Sequence, residues 1–445
     1  MKAAWIWMVL LMSTISLRAA DIAEIRSIMA NRVARGKAAG IVTGIIDEKG
    51  RQVIATGKVS LDGAAQPDGD TVYEIGSVTK VFTSLILADM IEKGEVKPDD
   101  PVAKFLPATV NIPSRNGRQI TLLDLSMQVS GLPRLPTNFK PADPANPYAD
   151  YDAAKLYDFL SHYQLTRDPG EKYEYSNLAV GLLGHALALK AGIGYEELLR
   201  RRIFDPLGMT STSITLSESQ KKRLAPGYND QLKPVKNWDL TALAGAGAIR
   251  STANDMLKFV AANLDLTDSP LRAAMHRMRS IDRSTDMPDV KIAMAWHIFT
   301  KYDEQIYWHN GGTAGYRSFV GFNPAKKEGV VVLCNAFLDN DDLGRHILEP
   351  RYPITTYREH KETTVDPAVL ERYVGEYELS PQFKITVTRD GSHLYAQATA
   401  QPRFEIFPES ETEFFLKVVE AQITLEKDAL ILHQGGLDQK AKKVK

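Results

Sequence analysis

The sequence predicts an α/β domain, whose single sheet is built from both ends of the domain, followed by a small antiparallel β-barrel domain. Apolar runs bounded by glycine and aspartate occur at residues 41–46 and 53–56, a pattern typical of hairpin strands. Strand-like runs return over residues 291–336, whereas residues 121–290 are mostly helical in pattern. Strands that flank a long helical segment favour one sheet completed by its late strands. Short alternating runs then fill residues 368–445.

The first twenty residues are predicted to be a secretory signal peptide. Lys2 precedes the apolar run 3–12, and small residues end the segment at Ala19-Ala20, after either of which cleavage fits. The apolar run is shorter than the roughly 20 residues that a membrane span needs. We therefore expect a periplasmic or secreted protein with no stable membrane span after cleavage. An uncleaved anchor is the alternative.

The remaining elements follow from local signals. A helix is predicted from Ser77 to about Lys93, because its apolar residues recur at helical spacing and Gly94 follows as a stop. Asp390-Gly391 is a hairpin signal in the late alternating region. The late strands of the main domain are predicted at residues 292–297, 306–308, 318–322 and 329–335. The expected domains are a signal peptide (1–20), the main domain (21–350), a linker (351–367) and the β domain (368–445).

Composition excludes several classes of function. The 445 residues are 44% hydrophobic and 24% charged with a net charge of −1, which is ordinary for a globular enzyme. The chain has no long basic or acidic run, so nothing in it indicates nucleic-acid binding, which requires a clustered basic face. Its one cysteine, Cys334, lies in an apolar run and is predicted to be buried. Metal-ligand spacings and phosphate-binding glycine loops are absent from the sequence, so we expect no metal and no cofactor. With no basic run, we also expect no nucleic acid as a partner.

The first candidate catalytic motif is Ser77-Val78-Thr79-Lys80, which follows Gly76 at the start of the predicted helix. The free N–H groups of a first helical turn favour negative charge, and a lysine three residues on shares the face of the serine. A serine hydroxyl is a good nucleophile only when a base takes its proton. A lysine can be that base only if burial lowers its pKa. The alternative is a helix-capping serine beside an exposed lysine.

The second candidate motif is Tyr175-Ser176-Asn177. A tyrosine can relay a proton if nearby cations favour its phenolate. An asparagine can hold a substrate amide, because its side chain offers both a donor and an acceptor. The alternative is that Asn177 only caps the helix that follows.

The third candidate motif, His309-Asn310-Gly311-Gly312-Thr313-Ala314-Gly315-Tyr316, follows a predicted strand. Consecutive glycines at a strand let a substrate backbone approach closely, so Gly311 and Gly312 are candidate substrate-binding residues beside His309. A second His-x-Gly begins at His433, but it lies outside the main domain. A structural histidine is the alternative for His309.

Together the three motifs resemble those of the penicillin-recognising serine hydrolases, especially the class C β-lactamase-like branch. Ser-x-x-Lys belongs to that superfamily, and Tyr175-Ser176-Asn177 matches the second motif of the branch. His309-Asn310-Gly311 stands where class C β-lactamases have Lys-Thr-Gly. The resemblance covers about residues 24–345. It implies a β-lactamase/transpeptidase-like α/β sandwich beside an all-helical part, with the active site in the cleft between them.

The resemblance also implies a role for each motif residue. Ser77 would be acylated, while Lys80 and Tyr175 would pass its proton. Asn177 would hold the substrate amide. The backbone N–H groups of Ser77 and Gly312 would form the oxyanion hole.

The third motif departs from the class C pattern, because His309 replaces a permanently charged lysine. A histidine is cationic only in part near neutral pH, so we expect activity to change between about pH 5 and 8. His-x-Gly occurs in relatives that act as D-Ala-D-Ala peptidases, as D-aminopeptidases or as family VIII esterases. We therefore expect hydrolysis of D-amino-acid-containing peptides, such as peptidoglycan stem peptides, or of related β-lactams. The alternatives are a family VIII carboxylesterase, a true β-lactamase and a catalytically silent binding protein.

The C-terminal segment resembles the small lipocalin-like domains appended to D-aminopeptidases. Arg372-Tyr373-Val374-Gly375-Glu376-Tyr377 is similar to the opening strand of such a domain. We expect either a domain that leans on the cleft and limits substrate size, or a passive stabilising domain.

Overall fold

A computed structural model describes residues 21–380, 383–399, 401–417 and 419–445. The predicted signal peptide, residues 1–20, lies outside the described residues. The α-helices of the described chain are α1 (Ile22–Ala34), α2 (Thr79–Glu92), α3 (Leu122–Ser126), α4 (Ala153–His162), α5 (Asn177–Ala191), α6 (Tyr195–Leu199), α7 (Glu218–Lys221), α8 (Ala253–Asn263), α9 (Arg272–Met278), α10 (Asp341–Leu348) and α11 (Pro367–Leu370).

One antiparallel eight-stranded sheet forms the centre of the main domain. The strands of this domain are β1 (Gly40–Asp47), β2 (Gly50–Gly57), β3 (Tyr73–Glu74), β4 (Ser114–Arg115), β5 (Arg118–Gln119), β6 (Gly227–Tyr228), β7 (Pro234–Val235), β8 (Arg250–Ser251), β9 (Arg283–Ser284), β10 (Val290–Ile292), β11 (His297–Phe299), β12 (Ile306–Gly312), β13 (Arg317–Asn323) and β14 (Glu328–Cys334). The order in the sheet is β2-β1-β14-β13-β12-β11-β10-β9. Early strands therefore join late ones, and the predicted α/β class is confirmed.

Helices cover both faces of this sheet, because successive side chains of a strand point to opposite sides. In β14, Val331 and Leu333 belong to a core shared with α2 and α8. Val330 and Val332 belong to a second core shared with α1 and α10. Cys334 lies in this second core, where burial raises the pKa of its thiol to about 11. A thiol in that environment is inert, in agreement with the predicted buried strand position.

Helices α2 and α5 are mostly buried and consist predominantly of apolar residues. A helix of this kind belongs to a core and not to a surface. Both helices begin at a candidate catalytic motif, so the two motifs lie at the ends of rigid elements. No single helix of the described ranges is long and apolar enough to cross a membrane. One bent pair, α5 with Tyr195–Phe204, has the required length and composition jointly, at an angle of 81°.

The strand predicted over residues 292–297 is wrong in its extent. The structure divides it into β10 and β11, separated by a tight turn in which the N–H of Ala293 donates to the carbonyl of Trp296. The turn residues are apolar and buried, so they continue the apolar pattern along the chain. As a result His297 is the first residue of β11 and lies opposite Trp308 of β12.

The C-terminal segment forms a closed antiparallel barrel, as predicted. Its strands are β15 (Gly375–Ser380), β16 (Phe383–Asp390), β17 (His393–Ala398), β18 (Arg403–Pro408), β19 (Glu413–Phe415), β20 (Ala421–Leu425), β21 (Ala429–Gln434) and β22 (Leu437–Lys443). Asp390 pairs with His393 across the predicted hairpin, and Gly391 takes the positive φ of +58° that such a turn requires. Apolar side chains from the strands fill the interior.

Candidate active site

A cleft of about 750 Å³ opens where β12 meets the helical part of the main domain. Ser77, Tyr175, Gly311 and Gly312 line it, so the structure brings together residues from all three predicted motifs. Lys80, Asn177 and His309 are outside this lining. Lys80 and His309 are buried behind it, with 0% and 1% of their surfaces exposed.

No described residue of the C-terminal barrel lines this cleft. The described residues that line the cleft extend along the chain only to Asp341. The barrel instead meets the main domain just after α1, where Lys37 Nζ lies 3.0 Å from a carboxylate oxygen of Glu420. Helix α1 lies on the opposite face of the sheet from α2, which carries the serine motif. The described part of the barrel therefore does not lean on the cleft, and its effect on substrate size stays a prediction.

Ser77 lies in a tight 3-10 turn that leads directly into α2. Gly76 in this turn has φ of +50°, a conformation that favours glycine. A Cβ atom on Gly76 would lie 2.7 Å from the backbone nitrogen of Gly312, and one on Gly311 would lie 1.9 Å from the carbonyl oxygen of Ile75. The serine turn and β12 therefore touch backbone to backbone. This contact places the backbone of Gly312 against Gly76, the residue next to Ser77.

Lys80 is a buried amine in contact with Ser77. Its Nζ lies 2.9 Å from Ser77 Oγ and 2.7 Å from the carbonyl oxygen of Ala246. Burial lowers the pKa of Lys80 well below its usual 10.5, and the guanidinium of Arg134 lowers it further. The neutral amine is therefore favoured, and its lone pair is available for the serine proton. Burial also excludes the alternative of an exposed lysine beside a capping serine.

The side chains of Lys80 and Arg134 approach the ring of Tyr175. Its centre lies 4.8 Å from Lys80 Nζ and 5.0 Å from the guanidinium carbon of Arg134. Burial is nevertheless the larger effect and raises the pKa of Tyr175 to about 12, although the Ser77 hydroxyl and Arg134 lower it. The phenol therefore keeps its proton at neutral pH. The basic group beside Ser77 in the free protein is the Lys80 amine, not a Tyr175 phenolate.

Ser176 caps α5, because its Oγ accepts a hydrogen bond from the N–H of Ala179 at 2.9 Å. The alternative in which Asn177 is the cap is therefore wrong. Asn177 Nδ2 donates to the hydroxyl of Tyr148 at 3.3 Å. Its buried Oδ1 has no hydrogen-bond partner among the described residues. A buried acceptor without a partner is unusual, so this oxygen keeps a hydrogen-bonding capacity that the described residues do not use.

The surroundings of His309 favour its neutral form. Burial lowers its pKa well below the usual 6.5, and the neighbouring His297 and Lys80 lower it further. Its Nδ1–H donates to the carbonyl of Asn310 at 2.6 Å, which leaves Nε2 as an acceptor. The expectation of a partly cationic His309 near neutral pH is therefore wrong. It assumed a solvent-exposed ring, whereas this ring is in the core beside a lysine.

We expect the pH profile of kcat/KM to show no inflection from His309 between pH 5 and 8. Any rise of activity with pH should instead follow the loss of the Lys80 proton, because only the neutral amine can act as the base. The measurement is hydrolysis of an uncharged ester across this range by the wild type and by His309→Asn. The fall of kcat/KM at low pH should occur at the same pH in the variant as in the wild type. Disappearance of that fall in His309→Asn would assign the titration to His309.

Two residues near the serine were not predicted from the sequence. His297 lines the cleft, its Nε2 lies 2.9 Å from the hydroxyl of Tyr173, and burial lowers its pKa to about 4. Arg134 lines the same cleft and approaches Tyr175. Their positions depend on strand pairing and loop packing, which no local pattern reveals. Neither is part of a metal site, since the described residues hold no group of three or more side chains able to bind a metal ion.

Comparisons with known proteins agree with this geometry. The family model described as Beta-lactamase matches residues 25–349, and a Domain of unknown function (DUF3471) matches residues 359–441. The D-alanyl-D-alanine-carboxypeptidase/endopeptidase AmpH of Escherichia coli K12 is 33% identical over 223 residues, which are 50% of this chain and 57% of AmpH. The chain thus spans little more than half the length of that relative. Penicillin-binding protein 4* of Bacillus subtilis is 27% identical over 84% of this chain and 88% of its own length.

A solved structure is similar as well. The β-lactamase/D-alanine carboxypeptidase from Yersinia pestis, complexed with citrate, has a TM-score of 0.62 at 28% identity, over 71% of this chain and 94% of that one. The resemblance to the class C β-lactamase-like branch is confirmed by these matches. The lipocalin likeness of the barrel stays a prediction. Because the Beta-lactamase model covers well over half of the chain, this protein belongs to the beta-lactamase family.

Proposed function

We propose that this enzyme hydrolyses D-amino-acid-containing peptides, such as peptidoglycan stem peptides, and related β-lactams through an acyl-enzyme on Ser77. The contact between the buried amine of Lys80 and Ser77 Oγ carries the proposal, because it supplies a nucleophile and its base. The D-alanyl-D-alanine peptidase named among the relatives supports this class of substrate. The signal-peptide pattern of residues 1–20 supports export to the periplasm or beyond, where such peptides occur.

In the proposed acylation, Lys80 takes the hydroxyl proton of Ser77 while Oγ attacks the scissile carbonyl carbon. The carbonyl oxygen gains negative charge, which the backbone N–H groups of Ser77 and Gly312 stabilise. The carbon–nitrogen bond then breaks, and the leaving nitrogen receives a proton through the Tyr175 hydroxyl. The Tyr175 hydroxyl recovers a proton from Lys80. Water attacks the resulting ester in the second half of the reaction, with the same groups acting in reverse.

Substrate binding is proposed to use the residues around the serine. The unpartnered Oδ1 of Asn177 would accept from an N–H of the substrate. The glycine at 311 lets β12 pack against the serine turn, so that the substrate can lie along this strand. His309 would act from behind, because it holds the carbonyl of Asn310 and does not line the cleft.

The test is intact-mass spectrometry of the mature protein during incubation with benzylpenicillin, with Ser77→Ala as the control. We expect a lasting adduct of the mass of the penicillin in the wild type and none in the variant. An adduct of equal size in Ser77→Ala would exclude Ser77 as the nucleophile. Penicillin consumed without an adduct would identify a β-lactamase.

A carboxylesterase is the second candidate, and the neutral state of His309 favours it. A lysine at this position would supply a permanent charge for a substrate carboxylate, whereas a neutral imidazole does not discriminate against uncharged esters. Penicillin that is neither bound nor consumed, together with rapid turnover of simple esters, would establish this alternative. D-aminoacyl amides would then be the next substrates to test.

A further inference from the structure

Arg317 is a cation held in the cleft beside the strand that carries Gly312. It is the register partner of Gly312 across β12 and β13, and it lines the cleft. A Cβ atom on Gly312 would lie 2.8 Å from Arg317 Nη1. The absence of a side chain at Gly312 therefore leaves the space that the guanidinium occupies. The pattern of glycines in the sequence did not suggest this use.

The guanidinium is fixed on one edge and on one face. Its Nη1 donates to the carbonyl oxygens of Thr313 and Tyr316, both at 2.8 Å. The ring of Phe337 covers the group, with 3.6 Å between the guanidinium carbon and the ring centre. This contact accounts for an aromatic side chain that is 52% exposed at the rim of the cleft. A cation over an aromatic face is stabilised by the charge distribution of the ring.

The opposite edge of the guanidinium is unused. Nε and Nη2 of Arg317 form no hydrogen bond with any of the described residues, whereas both hydrogens of Nη1 are used. The parallel Nε–H and Nη2–H groups of an arginine match the two oxygens of a carboxylate. The free edge therefore offers a preorganised site for a bidentate carboxylate.

Two acidic residues lie near Arg317 without pairing with it. Asp339 and Asp341 line the same cleft and raise the pKa of Arg317 against the lowering effect of burial. No ion pair joins either carboxylate to Arg317 in the described structure, and Asp341 accepts a hydrogen bond from Asn310 Nδ2 at 2.5 Å. Asp339 weakens the positive field of the cleft, whereas burial and the neighbouring Asp339 raise the pKa of Asp341 well above its usual value and disfavour its charged form. Selection of a carboxylate must therefore depend on the fork geometry of Arg317 more than on net charge.

We propose that Arg317 binds the carboxylate of the substrate through Nε–H and Nη2–H and supplies the permanent cation that is missing at His309. The inference rests on the proposed function and specifies its substrates as acyl compounds with a free carboxylate that reaches the Gly312 end of the cleft. A peptide C terminus and the ring carboxylate of a penicillin both have this chemistry.

The test measures how carboxylate ligands protect Ser77 from a neutral fluorophosphonate, with labelling followed by intact mass. One pair of ligands is N-acetyl-D-alanyl-D-alanine and its C-terminal amide, and the other is benzylpenicillin and its methyl ester. In the wild type, each acid should protect Ser77 from labelling at a concentration at least about 10-fold lower than its uncharged partner requires. Arg317→Gln should lose this advantage. Arg317→Lys should retain part of it, because an ammonium keeps the charge without the fork.

Lys172→Gln is the matched control, since Lys172 is another cation of the same cleft and should leave the acid advantage intact. For each variant, the labelling rate with a competitor is divided by its own rate without competitor. Thermal unfolding checks that each variant is folded. If Arg317→Gln does not fold, the result with Arg317→Lys tests the proposal instead. Three outcomes would overturn the proposal. Arg317→Gln could keep the full advantage of the acids over their uncharged partners, or Lys172→Gln could lose as much of it. The wild type could also show no preference for the acid in either pair of ligands. An acid preference confined to the penicillin pair would keep Arg317 in this role but overturn the assignment to D-peptides.

Discussion

Replacement of Lys80 by methionine is expected to lower kcat/KM by about 10³-fold or more and to remove a pH dependence from protein stability. The activity falls because Ser77 loses the amine that takes its proton. The stability effect follows from burial, since the folded protein holds Lys80 neutral whereas the unfolded chain holds a proton on it up to a pKa of about 10.4. The unfolded state then binds more protons, so the stability of the wild type rises with pH in this window.

The measurement is chemical denaturation from pH 7 to about pH 10, the upper limit being the ordinary lysine pKa. The free energy of unfolding of the wild type should rise relative to that of Lys80→Met over this range. Ser77→Ala is the matched control, because it removes activity but keeps the buried lysine. It should therefore retain the slope of the wild type. Equal slopes in the wild type and Lys80→Met would mean that Lys80 is charged in the folded state, and the assignment of Lys80 as the base would fail.

Replacement of Gly311 by alanine is expected to lower kcat/KM by about 10²–10³-fold, the cost typical of a lost oxyanion donor. The new Cβ would lie 1.9 Å from the carbonyl oxygen of Ile75 and 2.4 Å from Ser318 Oγ. Backbone cannot yield as a flexible side chain can, so β12 must move away from the serine turn. That movement separates the amide of Gly312 from the amide of Ser77. Stability should also fall, by roughly 1–3 kcal/mol for an overpacked site.

The measurements are steady-state kinetics with a neutral ester and thermal unfolding. Gly194→Ala is the matched control, because a Cβ on Gly194 meets no atom within 4 Å and its φ is −62°. It should change neither activity nor stability appreciably. A Gly311→Ala enzyme with wild-type kcat/KM would show that the close contact between β12 and the serine turn is not needed for catalysis.

Much of the candidate site could be predicted because its signals are local. Ser77 and Lys80 are three residues apart at the start of a helix, so helical geometry alone puts them on one face. The motif around Tyr175 likewise begins a core helix. Position along the chain also separated His309 from the second His-x-Gly at His433, which lies in β21 of the barrel.

The extent of the elements was less predictable, since local patterns do not reveal where a buried turn interrupts an apolar run. The break between β10 and β11 is such a case, and it decides that His297 reaches the cleft. The same limit applies to the barrel. Its alternating strands could be read along the chain, but the face of the main domain that it contacts depends on pairs such as Lys37 with Glu420.

The sequence by itself determined the fold class, the resemblance to the beta-lactamase family and the motifs around Ser77, Tyr175 and His309. Only the tertiary structure decided the charge state of these groups. Burial is a property of the whole fold, so it alone could set the neutral states of Lys80 and His309 and the protonated state of Tyr175. The role of Arg317 depends on strand register, which brings it beside Gly312. Ionisation and register both arise from contacts between distant segments, and these contacts exist only when the chain is folded.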